Sequence, residues 1–282
     1  MKEKISFIGL GKLGLPLSTL FAKNGVPVLG IDVNTDLVNI LQENIHTPFF
    51  EKGLGKSLDL AYNNIDYTTS YDRVMDETDV SVILVNTQIG DSYSSEIVEN
   101  VIKDLCAELV KSSKRYHLFI LSSTVMPGEI RNKLIPMIEE LTDRELNKGF
   151  GFSYVPDIVK LGSVIEDFEN PDVVIIGGSD EHSTDVTHRL YENIPTNNPP
   201  ISKMTLEEAA VAIYSLTSSS GADAPRGLNF LLETNRLNVA ISRAKCLSII
   251  VGSKTLLSSS VSTINEAQLI NNICKIHSDN SE

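Results

Sequence analysis

Apolar residues in this chain fall into short unbroken runs, separated by stretches whose apolar positions recur every three to four residues. The runs Ile5-Ser-Phe-Ile8, Val26-Pro-Val-Leu-Gly-Ile31 and Val80-Ser-Val-Ile-Leu-Val85 read as strands, as do residues 117–122, 151–154 and 173–176. Shorter strands are expected at 66–68 and 200–203. Helical periodicity follows Gly14 (Leu17, Leu20, Phe21) and recurs at 36–43, 54–62, 95–111, 129–141 and 181–191. Strands without polar alternation are buried on both faces. Strand–helix alternation therefore predicts an α/β fold, a Rossmann-like doubly wound parallel sheet covered by helices on both sides. Loops after Gly9, Asp32, Val85, Ser122 and Tyr154 would then line one crevice at the carboxyl ends of the strands. The pattern restarts after 205, with strands at 211–216 and 247–252 and helices at 228–245 and 265–276. We divide the chain into a domain of residues 1–208 and a small βαβα appendage of residues 209–282.

The first loop carries candidate chemistry. Gly9-Leu-Gly11-Lys-Leu-Gly14 follows a strand and opens a helix. In a dinucleotide site the first glycine permits the tight turn, the second admits the pyrophosphate, and the third lets helix and strand pack closely. The diphosphate then sits on the unpaired N–H groups of the helix N-terminus. The next strand ends in Asp32, where an acid that binds ribose hydroxyls should fall. An acid there favours NAD over NADP.

Composition removes several alternatives. The net charge of −13 argues against a general nucleic-acid surface. The charge is uneven: the last 77 residues hold 6 Lys and Arg against 7 Asp and Glu, leaving 18 against 30 before them. Cys106, Cys246 and Cys274 lack C-x-x-C spacing, so neither a disulfide framework nor a zinc site is expected. His46, His117, His182, His188 and His277 lack metal-ligand spacing and read as surface or capping residues; no metal is expected. No apolar run approaches the ~20 residues that span a bilayer. The N-terminus runs straight into a strand, so a cytoplasmic location without membrane contact is the expectation.

Further motifs follow the glycine turn in order. They are Thr47-Pro-Phe-Phe-Glu-Lys-Gly-Leu54, Val85-Asn-Thr87, Ser122-Ser-Thr-Val-Met-Pro-Gly128 and Val155-Pro-Asp157. Leu161-Gly-Ser-Val-Ile-Glu-Asp-Phe-Glu-Asn-Pro-Asp172, Val174-Ile-Ile-Gly-Gly178 and Ser202-Lys-Met-Thr-Leu-Glu-Glu208 complete the series. In these motifs residues 1–208 resemble the N-terminal part of the nucleotide-sugar dehydrogenases, the UDP-glucose and UDP-N-acetylhexosamine 6-dehydrogenases. The resemblance implies NAD as cofactor and a UDP-sugar whose C6 alcohol is oxidised in two steps to a carboxylate. It implies that Gly9, Gly11, Leu13, Gly14 and Asp32 hold the cofactor's diphosphate and ribose, with Thr87 and Thr124 near its reactive end. Thr124 and Asp157 are the implied catalytic residues. Thr124 would also position the attacking water, and Asp157 stands where the family usually has glutamate.

The resemblance breaks after residue 208. The family continues this helix to a catalytic lysine and, one turn later, an asparagine; here those positions are Ile213 and Thr217. Neither Cys246 nor Cys274 lies in the family's Gly-Gly-x-Cys-x-Pro-Lys-Asp loop. Its dimerisation helix and C-terminal UDP-binding domain are not recognisable in 209–282, which leaves the oligomeric state open. Instead Ile213-Tyr-Ser-Leu-Thr-Ser-Ser-Ser220, Asp223-Ala-Pro-Arg-Gly227 and Asn235-Arg-Leu-Asn-Val-Ala-Ile-Ser-Arg-Ala-Lys245 resemble the motif VI region of a superfamily 1 helicase. That resemblance implies an ATP-facing role for Arg243. The expectation is an NAD-binding dehydrogenase domain lacking its catalyst. The alternative is an ATPase fragment or binding module acting through the tail. Gly53-Leu-Gly-Lys-Ser57 imitates the end of a P-loop, but Phe50 stands at its first glycine, and we take the match as coincidence.

Overall fold

A computed structural model describes residues 3–43, 48–89, 92–159, 161–210, 213–216 and 249–252. The chain divides into two compact units, Met1–Ala210 and Val211–Glu282.

In the first unit the expected alternation is realised. Its elements run β1 (Ile5–Ile8), α1 (Gly14–Lys23), β2 (Val28–Ile31), α2 (Thr35–Glu43), α3 (Leu54–Ala61), β3 (Ile65–Thr68), α4 (Val74–Glu77) and β4 (Val80–Ile83). A small hairpin, β5 (Gln88–Ile89) with β6 (Ser92–Tyr93), precedes α5 (Glu96–Lys111) and β7 (Leu118–Leu121). A π-helical turn (Ile130–Leu134) runs into α6 (Ile135–Thr142). Then come β8 (Gly151–Tyr154), α7 (Val164–Glu169), β9 (Val174–Gly178), α8 (Glu181–Tyr191), β10 (Ile201–Thr205) and α9 (Leu206–Ala210).

Eight strands form one sheet in the order β10-β9-β8-β7-β4-β1-β2-β3. From β3 to β8 every neighbouring pair is parallel. The expectation of a parallel sheet needs one correction at its edge. β9 pairs antiparallel with β8, and β10 runs parallel to β9, so the last two strands point the other way. The chain leaves β1 towards β2 and β3, then returns to place β4 on the other side of β1. That reversal opens a crevice beyond the carboxyl ends of β1 and β4.

β1, β2, β4, β7 and β8 are buried at every position. Helices cover both faces, with Leu17, Leu20 and Phe21 of α1 on one side and Ile102, Leu105 and Leu109 of α5 on the other. Serines inside these strands find hydrogen-bond partners, Ser153 with Ser183 and Thr187 of α8 and Ser6 with Ser81. The Ser6 and Ser81 hydroxyls lie 2.7 Å apart on paired positions, and Ser81 meets His117 Nε2 at 2.7 Å. His117 is fully buried, which corrects its reading as a surface or capping residue. Burial, with Lys114 and Arg144 nearby, pushes its pKa down from 6.5 to about 3, so the ring is neutral.

Within the second unit, β11 (Ile213–Leu216) and β12 (Ile249–Gly252) pair in parallel. The expected helices 228–245 and 265–276, together with Arg243, Cys246 and Cys274, lie outside the described residues. No helix among the described residues is long and apolar enough to cross a membrane.

Candidate functional site

The three glycines of the first loop meet three different environments. Gly9 has φ +96°, and its N–H donates to the Ile31 carbonyl at 2.8 Å. A Cβ on Gly9 would stand 2.3 Å from the Leu84 carbonyl oxygen. On Gly14 a Cβ would stand 1.8 Å from the Gly9 carbonyl oxygen, so only glycine lets α1 start this close to β1. Gly11 differs: a Cβ there would meet nothing within 4 Å. The exposed second glycine therefore borders open space, as a backbone that receives a diphosphate must.

Helix α1 begins at Gly14 behind Leu13, with no side-chain cap and no acid in its first turn. Its positive end is thus not neutralised from within. Asp32, at the end of β2, accepts the Leu10 N–H at 2.7 Å through Oδ2 and the Asn34 N–H at 2.9 Å through Oδ1. One carboxylate thereby ties the glycine turn to the loop after β2. Gly9, Gly11, Leu13, Gly14 and Asp32 are all brought to this one turn. An open glycine, an acid-free helix start and an adjacent carboxylate together fit a dinucleotide.

Thr87 and Thr124 sit half-buried on the loops after β4 and β7, which are adjacent strands. Ser123 fastens the two loops, accepting the Val85 N–H at 2.8 Å and donating to the Val85 carbonyl at 2.9 Å. Ser122 and Ser123 also donate their N–H groups to Ile83 at 2.9 and 3.3 Å. Asp157, on the loop after β8, is 3% exposed and borders a pocket with Pro156, Phe168, Pro171 and Tyr191. Tyr191 is buried and meets the Ser122 hydroxyl at 3.3 Å. Its burial, and next the Asp157 charge, push its pKa far above the ordinary value.

Residues 3–195 match the NAD binding domain of the UDP-glucose/GDP-mannose dehydrogenase family. The chain belongs to that family. It is 28% identical over 216 residues to GDP-mannose 6-dehydrogenase of Pseudomonas putida, covering 75% of this chain and 48% of the relative. It is 26% identical over 217 residues to a UDP-glucose 6-dehydrogenase of Haloferax volcanii, covering 75% and 50%. The crystal structure of GDP-mannose dehydrogenase from Pseudomonas aeruginosa aligns with a TM-score of 0.68 and 25% identity, over 74% of this chain and 47% of that one. The chain thus spans about half the length of these dehydrogenases. The names of these relatives include GDP-mannose as well as UDP-glucose.

Some residues that shape the dehydrogenase crevice were not singled out from sequence. Glu51 is buried, and its Oε2 accepts the Gly162 N–H at 3.0 Å, joining the loop before α3 to the loop after β8. Both residues lie in motifs that the sequence displays, so the signal was present but unassigned. Ser123, Ser122 and Tyr191 act through contacts 38 to 69 residues apart, which no local pattern encodes.

Proposed function

We propose that this chain is the cofactor-holding part of a nucleoside-diphosphate-sugar 6-dehydrogenase and that it does not turn over a sugar nucleotide by itself. The glycine turn and the α1 N-terminus hold the diphosphate of NAD, with the Leu13 backbone at its edge. Asp32 accepts hydrogen bonds from the adenosine ribose. Thr87 and Thr124 approach the nicotinamide end from their two loops. NAD, when bound, supplies the acceptor for hydride leaving the sugar C6. Thr124 orients the sugar or an attacking water. Asp157 offers a buried carboxylate from the loop after β8, one methylene shorter than a glutamate would be.

One observation carries the second half of the proposal. Helix α9 starts on a reciprocal cap in which Glu208 accepts the Thr205 N–H at 2.8 Å and the Glu208 N–H donates to the Thr205 hydroxyl at 3.3 Å. The family's lysine belongs on the continuation of that helix. Here α9 spans Leu206–Ala210, and Ile213 begins strand β11 of the second unit. An isoleucine can neither stabilise an oxyanion nor activate water. Nor can Cys106 stand in for the missing thiol: it is buried in α5, and burial pushes its pKa up to about 12.

The test is to incubate the chain with NAD and either UDP-glucose or GDP-mannose and to follow NADH. We expect NAD binding without NADH formation. Sustained NADH formation would overturn the reading of Ile213 and of the absent cysteine loop.

A further inference from the structure

The loops after β4 and β7 are fastened a second time, away from Ser123. Tyr93, at the end of hairpin strand β6, donates its hydroxyl to Glu129 Oε2. The same carboxylate oxygen accepts the Met126 N–H at 3.2 Å. Glu129 Oε1 faces Lys133 at 3.8 Å, and Lys133 reaches Glu99 at 2.6 Å and the Ser95 hydroxyl at 3.0 Å. Ser95 in turn donates to Glu99 at 2.8 Å. A charge-assisted network thus joins the hairpin, the first turn of α5 and the π-helical turn after β7. Of these three, the hairpin and the turn after β7 directly follow the loops that carry Thr87 and Thr124. The Ser94 N–H donates to the Thr87 carbonyl at 2.9 Å, next to Tyr93, and Thr124 lies two residues before Met126.

We propose that Tyr93 and Glu129 are positioning residues that hold the Thr87 and Thr124 loops at the spacing required by the nicotinamide end of NAD. Hydrogen bonds to a charged acceptor are roughly twice as strong as neutral ones. Loops already fastened to each other lose less conformational freedom when a ligand orders them, so fastening raises affinity without touching the ligand. Burial first, then the bond to Glu129, raise the Tyr93 hydroxyl well above its ordinary pKa, so it remains a donor at any working pH. The crevice is polar in its ends: Asp32 and the glycine turn serve the adenosine and diphosphate side, while this latch lies on the β4–β7 side. Its loss should therefore be felt by one half of the cofactor only. A role in stability alone would weaken every ligand of the crevice equally.

This inference rests on the assignment of NAD to the crevice, and the test separates the two. The full 282-residue chain is titrated with NAD and with ADP-ribose, which keeps the adenosine, diphosphate and second ribose but lacks nicotinamide. Tyr93→Phe and Glu129→Ala, which remove the bond from opposite sides, should each weaken NAD binding about three- to tenfold. ADP-ribose affinity should stay within about twofold for both variants. Glu129→Gln, which keeps an acceptor for the phenol, should recover most of the NAD affinity. Equal weakening of both ligands, or unchanged NAD affinity in either variant, overturns the proposal. Failure of the unmodified chain to bind either ligand would instead overturn the NAD assignment.

Discussion

Gly11 and Gly14 lie three residues apart, yet an added methyl should do opposite things at the two positions. In Gly14→Ala the new Cβ falls 1.8 Å from the Gly9 carbonyl oxygen and 3.4 Å from Phe7. The first contact is with backbone, so α1 must move away from β1 to relieve it. Overpacking of this kind costs about 1–3 kcal/mol, and a rigid partner places it at the upper end. At about 2–4 °C per kcal/mol for a domain of this size, Tm should fall by about 6–12 °C. In Gly11→Ala the methyl enters open space at a position without a positive φ. The fold should be unchanged or stabilised by about 0.4–1 kcal/mol through the unfolded chain. The methyl now occupies the approach to the diphosphate, so NAD affinity should fall at least about tenfold, equivalent to 1.4 kcal/mol. Thermal melts followed by circular dichroism, paired with NAD titration calorimetry, read both quantities. Equal destabilisation by the two variants, or full NAD affinity in Gly11→Ala, would refute the division of labour between these glycines.

Other consequences follow from groups in the core and the tail. Because His117 is held neutral, with its pKa lowered from 6.5 to about 3, protonation favours the unfolded chain. Its contribution is complete above pH 6.5 and is lost as pH falls towards 3, up to about 5 kcal/mol at 1.36 kcal/mol per unit. Urea unfolding of the native chain and of His117→Gln across that range should show the steeper acid loss in the native chain; parallel profiles would contradict the buried neutral ring. Ser123→Ala removes both hydrogen bonds to Val85 and should destabilise by about 1–2 kcal/mol, read as a lower urea midpoint. Cys106, with its pKa pushed up to about 12, should resist a thiol reagent at pH 8 in the native chain and react on unfolding, as mass spectrometry of its peptide would record. Arg243→Ala should leave NAD affinity unchanged, and a loss would draw residues 211–282 into the cofactor site.

The sequence carried most of the fold because buried strands write themselves as apolar runs. β1, β4, β7 and β8 stand within a residue or two of where hydrophobicity placed them. The glycine turn was equally legible, since Gly9 and Gly14 answer local steric demands and Gly11 keeps the spacing of the motif. Strand direction was not: an apolar run such as Val174–Gly178 is the same read either way, so the reversal of β9 and β10 needed the structure. Four-residue α4 and the two-residue strands β5 and β6 are too short to display a period. His117 misled for a different reason, since its partner Ser81 lies 36 residues away in an otherwise apolar run. Tyr93 and Glu129, equally distant in sequence, became a candidate latch only once β4 and β7 were seen side by side.

The crevice beside the glycine turn should hold NAD although the chain lacks the family's lysine, asparagine and cysteine loop. Titration calorimetry of the 282-residue chain with NAD tests it most directly, with Gly11→Val as the reference. Saturable binding of one NAD per chain is expected, abolished in Gly11→Val. Absence of binding by the unmodified chain, or equal binding by Gly11→Val, would contradict it.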